Sequence, residues 1–144
     1  MAGIAAKIVK QVLEENIKED GPKPELIRED LLVIELPFKG INYQSASMVV
    51  FFKFNEDDDH VHLEGMRFVK VPEDKFDAMY KVLNECNDQY THIKFVLDVE
   101  KGELNARDDA VIQLDSCGAE CFELMYRMLK VVEDAYPKFM KVVL

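Results

Sequence analysis

Two histidines two positions apart, His60 and His62, with Glu64 following at the same interval, have types and spacing that could do chemistry. On an extended strand, residues i and i+2 share a face, so two imidazoles and a carboxylate would line up there. Zinc accepts such donors but needs three or four, so Asp59, Glu64 or His92 would have to complete the set. The plainer alternative is a polar strand face in water. Just upstream, Asn55-Glu56-Asp57-Asp58-Asp59 invites a calcium reading. An EF-hand loop begun at Asn55 needs glycine at its sixth position and glutamate at its twelfth. Those positions hold His60 and Met66, so the motif fails and the run reads as an acidic turn facing water.

Cys117 and Cys121 stand one helical turn apart at the start of a candidate helix. A helix N-terminus can lower a thiol pKa and make a nucleophile. Asp115 and Glu120 oppose a thiolate there, and Cys121 falls on an apolar arc, so both read more simply as capping and core. Asp98, Glu100, Glu103, Asp108 and Asp109 gather around a second turn, but nothing in the pattern indicates the cleft that a glycosidase pair requires. The chain has no G-x-S-x-G, no glycine-rich phosphate loop and no H-E-x-x-H. The expectation is a non-enzyme without cofactor or metal.

The elements that must position these groups can be read from periodicity. Residues 4–18 form an amphipathic helix with Ile4, Ala5, Ile8, Val9, Val12 and Leu13 on one side, ended by Gly21-Pro22-Lys23-Pro24. Leu31 to Leu36 is an apolar, β-branched run that reads as a strand, and Pro37 ends it or marks an edge. Residues 39–46 read as a loop. Met48 to Phe54 is a strand apolar on both faces, with Val49 and Phe51 opposite Met48, Val50, Phe52 and Phe54. His60 to Val71 reads as the next strand, with a phase change at Gly65 that predicts a β-bulge. Pro72-Glu73-Asp74 opens a helix carrying Phe76, Met79, Tyr80, Leu83, Cys86 and Asn87 at helical spacing. Asn84 and Asn87 are poor helix-interior residues, and structural capping is the preferred reading for both. Thr91 to Asp98, a turn at Gly102 and Glu103 to Leu114 make a hairpin. Asp115 or Ser116 then caps a last helix whose apolar arc includes Met125, Met128 and Tyr136. Pro137 interrupts or ends that helix, leaving Phe139 in an apolar tail. The order α-β-β-β-α-β-β-α, with short connections between strands, predicts an α+β fold with an antiparallel sheet packed by helices.

The chain's 144 residues fit a single domain spanning 1–144, and 49% hydrophobic residues suffice for one core without disulfides or metal. A formal net charge of -10 repels phosphate backbones and anionic lipid surfaces, which argues against nucleic-acid and membrane partners. Three irregularly spaced cysteines are not a disulfide framework, and Lys7 and Lys10 break any secretory apolar run. A cytoplasmic protein with reduced thiols is expected.

The segment Leu83-Asn84-Glu85-Cys86-Asn87, then Ile93-Lys94-Phe95-Val96-Leu97-Asp98, then Gly102-Glu103-Leu104 resembles the central signature of the YbjN family. The preceding order, a strand rich in Val and Phe, an acidic turn, a strand and Val71-Pro72-Glu73 entering a helix, is similar too, and the resemblance spans residues 30–140. It implies the fold shared with type III secretion chaperones, a group that binds proteins and often dimerises, and a link to regulation. It brings no catalytic residues. Asn84 and Asn87 match the family's repeated Asn, and the absence of Trp, common among such relatives, is a departure.

The residues themselves leave an apolar surplus: a two-faced second strand, a half-circle of apolar residues on the last helix, and the tail. A sheet with helices on one face needs one apolar face only. The excess must be covered by the N-terminal helix, by a second copy or by a partner, and the expectation is a protein-binding module, chaperone-like or regulatory, forming a homodimer and binding an unknown protein partner. Val49, Phe51, Met125, Met128, Tyr136 and Phe139 are its candidate contact residues. The rivals are a small-molecule sensor or minor enzyme with a pocket between sheet and helices, and a metal-responsive protein using His60 and His62.

Overall fold

A computed structural model of the chain describes residues 3–41 and 44–144. Its elements are α1 (Ile4–Asn16), β1 (Glu25–Arg28), β2 (Leu31–Lys39), β3 (Ser45–Phe54), β4 (His60–Met66), α2 (Phe76–Gln89), β5 (Lys94–Asp98), β6 (Glu103–Val111) and α3 (Cys117–Val143). The α+β class and the expected order of elements hold. The addition is β1, a four-residue strand too short to show a period. The loop read at 39–46 includes Asn42 and Tyr43, which lie outside the described residues.

Every neighbouring strand pair is antiparallel, in the order β1-β2-β3-β4-β6-β5. Alternation decides which face is buried. Leu32, Ile34 and Leu36 on β2 oppose Phe52, Val50 and Met48 on β3, and all six are buried on the face that the helices cover. Pro37 lies inside β2, paired with Ser47. Because β1 reaches only to Val33, the remainder of β2 is a sheet edge, where a missing N–H costs no ladder bond.

The strand read from His60 to Val71 stops at Met66. Its register against β3 runs regularly through Gly65, but against β6 it slips by two residues between the Gly65–Ala106 pair and the Lys70–Glu103 bridge, so the expected irregularity is on that side, just past the glycine. The phase change accompanies that slip: Arg67 adopts φ 62°, which breaks the strand before Val69 and Val71 bond again to Leu104 and Gly102 at the start of β6. Gly65 is small for a packing reason, since a Cβ there would stand 3.1 Å from the Met48 sulfur and 3.2 Å from that of Met128.

Helix α3 runs 27 residues without a break at Pro137. Pro137 is exposed, so the carbonyl it leaves unpaired can be solvated. Beyond it, Phe139 is fully buried edge-on to Phe95, with ring centres 4.9 Å apart, and Phe68 lies 6.4 Å away. Burying an aromatic side chain of this size outweighs one lost helical bond. The expected tail is thus the last part of the helix. Helix α1 stops at Asn16, ahead of the Gly-Pro segment, and packs on α3 where Gly118 admits Val12: a Cβ on Gly118 would lie 2.4 Å from a Val12 methyl.

Two polar side chains hold distant elements together. Asp58, from the acidic turn, is buried at the start of α1, and its Oδ1 accepts the Ala5 N–H at 3.4 Å. A carboxylate there satisfies an orphan donor and complements the helix dipole. The acidic turn therefore does not simply face water. Its shape is set by Asn55, whose Oδ1 accepts the backbone N–H groups of Asp59 and His60 at 3.1 and 3.0 Å.

Asn87 is the second. It does not cap its own helix, whose last residue is followed by Tyr90 with an N–H bonded to the Cys86 carbonyl. Its amide instead reaches the edge strand β5, donating to the Phe95 carbonyl at 3.0 Å and accepting the Phe95 N–H at 2.8 Å. One side chain thereby fills the place of a missing ladder partner and blocks that edge. Asn84 is exposed. Asn87→Ala is expected to lower the unfolding free energy by about 1–3 kcal/mol and to speed hydrogen exchange at the Phe95 amide. Asn84→Ala should stay within about 0.5 kcal/mol of the parent. Urea unfolding of the two variants side by side checks both.

Candidate functional site

The helices cover one side of the sheet and leave the other side open. Its outward residues run in rows across the strands, set by the ladder register. Val33 lies beside Phe51, Phe51 beside Glu64 and Glu64 beside Arg107. In the adjacent row Glu35 pairs with Val49 and Val49 with Met66. Val33, Phe51, Val49 and Met66 are all half-buried and form an apolar strip.

Beside the strip the charges are paired with one another. Glu64 is the hub: its side chain is only 12% exposed, and its Oε1 accepts from Arg107 Nε at 2.8 Å and meets His62 Nε2 at 3.2 Å. Its Oε2 accepts from Asn105 at 3.4 Å. His62 Nδ1 lies 2.8 Å from Asp109 Oδ1, and the ring packs 5.9 Å from Phe51. Opposite charges directly across strands stabilise a sheet modestly. Here the Glu64 carboxylate also holds the Arg107 and His62 side chains in place. At the end of this face is an open cup of about 330 Å³, whose lining includes Glu64, Arg67, Lys101, Glu103, Asn105 and Arg107.

His60, His62 and Glu64 do share the outer face. Both nitrogens of His62 are already occupied by carboxylates, and among the described residues no group of three or more His, Cys, Asp or Glu side chains could hold a metal ion. The carboxylates read as one cluster are split by the sheet. Asp109 faces outward to His62, whereas Asp108 is buried on the inner face, 3.6 Å from Arg127 of α3.

The six candidate contact residues separate in the same way. Val49 and Phe51 meet on the outer face. Met125, Met128 and Phe139 are buried within the chain, and Tyr136 packs edge-on against Phe38 with ring centres 5.0 Å apart. The apolar arc of α3 is taken up by its own sheet, with α1 and α2 packed alongside it. The surplus is therefore smaller than the sequence implied: besides the half-buried strip on the sheet, the exposed large apolar side chains are scattered, Ile27 and Val111 on strands, Tyr80 and Tyr126 on helices. Sequence reasoning missed Glu64 as a hub, because the partners of an outward carboxylate depend on β6 lying beside β4.

All three thiols are free and buried. Burial, then Glu120 and Asp58, raises the Cys117 thiol above its ordinary value, against the lowering that a helix start would give. Burial, then Cys117 and Glu120, pushes Cys121 up from 9.0 to about 12. The folded chain thus keeps a proton that the unfolded chain releases first. The resulting stability is fully present below the unfolded value and is lost as pH rises toward the folded one. Urea midpoints measured between about pH 8 and pH 11 should fall more steeply for the parent than for Cys121→Ala. Equal slopes would mean that the thiol is not held in its protonated form.

Among the described residues no helix is long and apolar enough to cross a membrane. Neither the curated proteins nor the solved structures include a match to this chain. A family model does match, that of YbjN, described as "putative bacterial sensory transduction regulator", over residues 11–137, from the middle of α1 to Pro137 in α3. The sheet, both of its faces and the Asn87 bridge to β5 all fall within that span, and the chain belongs to the YbjN family.

Proposed function

We propose that this chain is a non-catalytic regulatory module, chaperone-like in its way of working, that docks protein on the open face of its sheet. A second copy of the chain is the first occupant. The observation that carries this reading is the half-buried strip Val33, Phe51, Val49 and Met66 lying directly beside charges already paired across the strands. An interface gains most from apolar groups that are shielded from water, and it loses most when charges must be stripped of water unpaired. On this face Arg107 and Glu64 form an ion pair and the His62 ring lies within hydrogen-bond distance of the Glu64 and Asp109 carboxylates, so covering them costs less than covering isolated ions. A two-fold pairing of identical faces would lay one apolar strip on the other. The family's regulatory description agrees with a binding role in general. The free buried thiols suit a reducing cytoplasm.

A second reading, a small-molecule sensor, is favoured by the cup of about 330 Å³ at the end of the same face, where the cations Arg67, Lys101 and Arg107 and the carboxylates Glu64, Asp98 and Glu103 together could hold a zwitterion. A thermal shift on adding free amino acids, absent with uncharged analogues, would select it.

Light scattering tests the first reading. Across a concentration series the parent should have twice the single-chain mass of 16.6 kDa. Phe51→Glu should have the single-chain mass and stay folded by circular dichroism, at a cost of about 1–3 kcal/mol in unfolding free energy from lost packing on His62 and a second carboxylate beside Glu64. A parent of single-chain mass throughout, or a Phe51→Glu protein that still pairs, would reject the second copy as occupant.

A further inference from the structure

The helix layer carries a surface whose charge runs against that of the chain. α2 and α3 lie antiparallel. Lys138 of α3 donates to Gln89 Oε1 at 2.7 Å at the end of α2, while further along α3 Lys141 and Val142 face Ala78 and Lys81 near the start of α2. Between them runs an open groove of about 570 Å³. Its apolar lining comes from Ala78, Val82 and Val142, its cations are Lys81, Lys138 and Lys141, and its single carboxylate is Glu85. In a chain of net charge -10, three lysines against one glutamate make a local positive site around an apolar trough.

We infer that this groove docks an acidic amphipathic helix of a partner protein. Ala78, Lys81, Val82 and Glu85 are spaced i, i+3, i+4 and i+7, so they form one unpartnered face of α2 about two turns long. A helix laid along such a face presents anchors at the same spacing. Apolar residues on its inner stripe would cover Val82 and Val142, and carboxylates on its flanks would meet the three lysines. Charge complementarity of this kind sets specificity and association rate. A bilayer is a poorer occupant, because the rest of the chain is strongly acidic and a flat anionic surface cannot follow a trough. A single acyl chain is poorer too, because an open groove leaves too much of it in water. Lys138, Lys141 and Val142 lie beyond the residues that the family model matches, so this surface does not follow from family membership.

The probe is a fluorescent designed peptide with leucines at i, i+3, i+4 and i+7 and glutamates elsewhere on its surface, titrated with the full chain. A control peptide carries lysine in place of each glutamate. The glutamate peptide should bind, more weakly as salt is raised, and the lysine peptide should not. The double variant Lys81→Glu with Lys141→Glu should weaken binding by about tenfold or more, whereas Phe51→Glu should leave it unchanged, which separates this groove from the sheet face. Val82→Asp provides a second loss variant, at a half-buried apolar position in the trough. No binding of the glutamate peptide, equal binding of both peptides, or indifference to the double variant would overturn the inference. Co-sedimentation of the parent, but not of the double variant, with phosphatidylglycerol vesicles would also overturn it, in favour of a membrane surface.

Discussion

One-sided coverage of a six-stranded sheet is the constraint on which the rest of the structure depends. Its inner face, with Phe52, Val50 and Met48 on β3 and Leu63 on β4, is covered by α3 with α1 and α2 beside it. Each large side chain hidden this way contributes roughly 1.5–3 kcal/mol. Coverage explains the small residues as well. Gly65 lets two methionine sulfurs approach the sheet, and Gly118 lets α1 lie close against α3. It also explains why α3 runs through Pro137: the helix must reach Phe139 into the aromatic group around Phe95 and Phe68.

The same constraint leaves the outer face to be stabilised by other means. Without a covering layer, its side chains gain little from burial and rely on cross-strand pairs. Glu64 answers three neighbours at once, His62, Arg107 and Asn105, and Asp109 takes the other nitrogen of His62. A network of this kind holds its members in place without reactive thiols or converging metal ligands. Its chemistry is that of a shaped, charge-matched surface. That accords with the regulatory description of the family.

The alternation of strands and the arc of α3 were legible in the sequence because burial on one face leaves a period that local reading detects. What escaped depends on contacts distant in sequence. Asn87 looks like a helix-end residue until β5 lies beside α2 and its amide reaches Phe95. Asp58 belongs to an acidic turn by composition and to the start of α1 by position, 53 residues away. The phase change near Gly65 was visible, but the left-handed Arg67 that accompanies it carries no signature in residue type. The candidate face was half legible: Val49 and Phe51 stood out as the second apolar face of a strand, whereas Met125, Met128 and Phe139 carried the same signal for the opposite reason, being core.

The outer face and the lysine groove lie on opposite layers, with the sheet and its core between them, so occupying one does not block the other sterically. Any coupling would have to pass through shared elements. One such path joins α2 to β5 through the paired hydrogen bonds of Asn87, then β5 to β6, whose Arg107 belongs to the outer network. At the groove end, Lys138 lies over the Tyr90 ring just past α2, and the Tyr90 hydroxyl bonds Asp134 of α3. A small movement of α2 along α3 would thus disturb Tyr90 and Asn87 together, and with them the edge strand that borders the paired charges. Packed interfaces shift between discrete arrangements more readily than they deform smoothly. Asn87, a residue touching neither proposed partner, is thus one of the places where the helix layer is tied to the sheet, alongside the Arg127–Asp108 pair between α3 and β6.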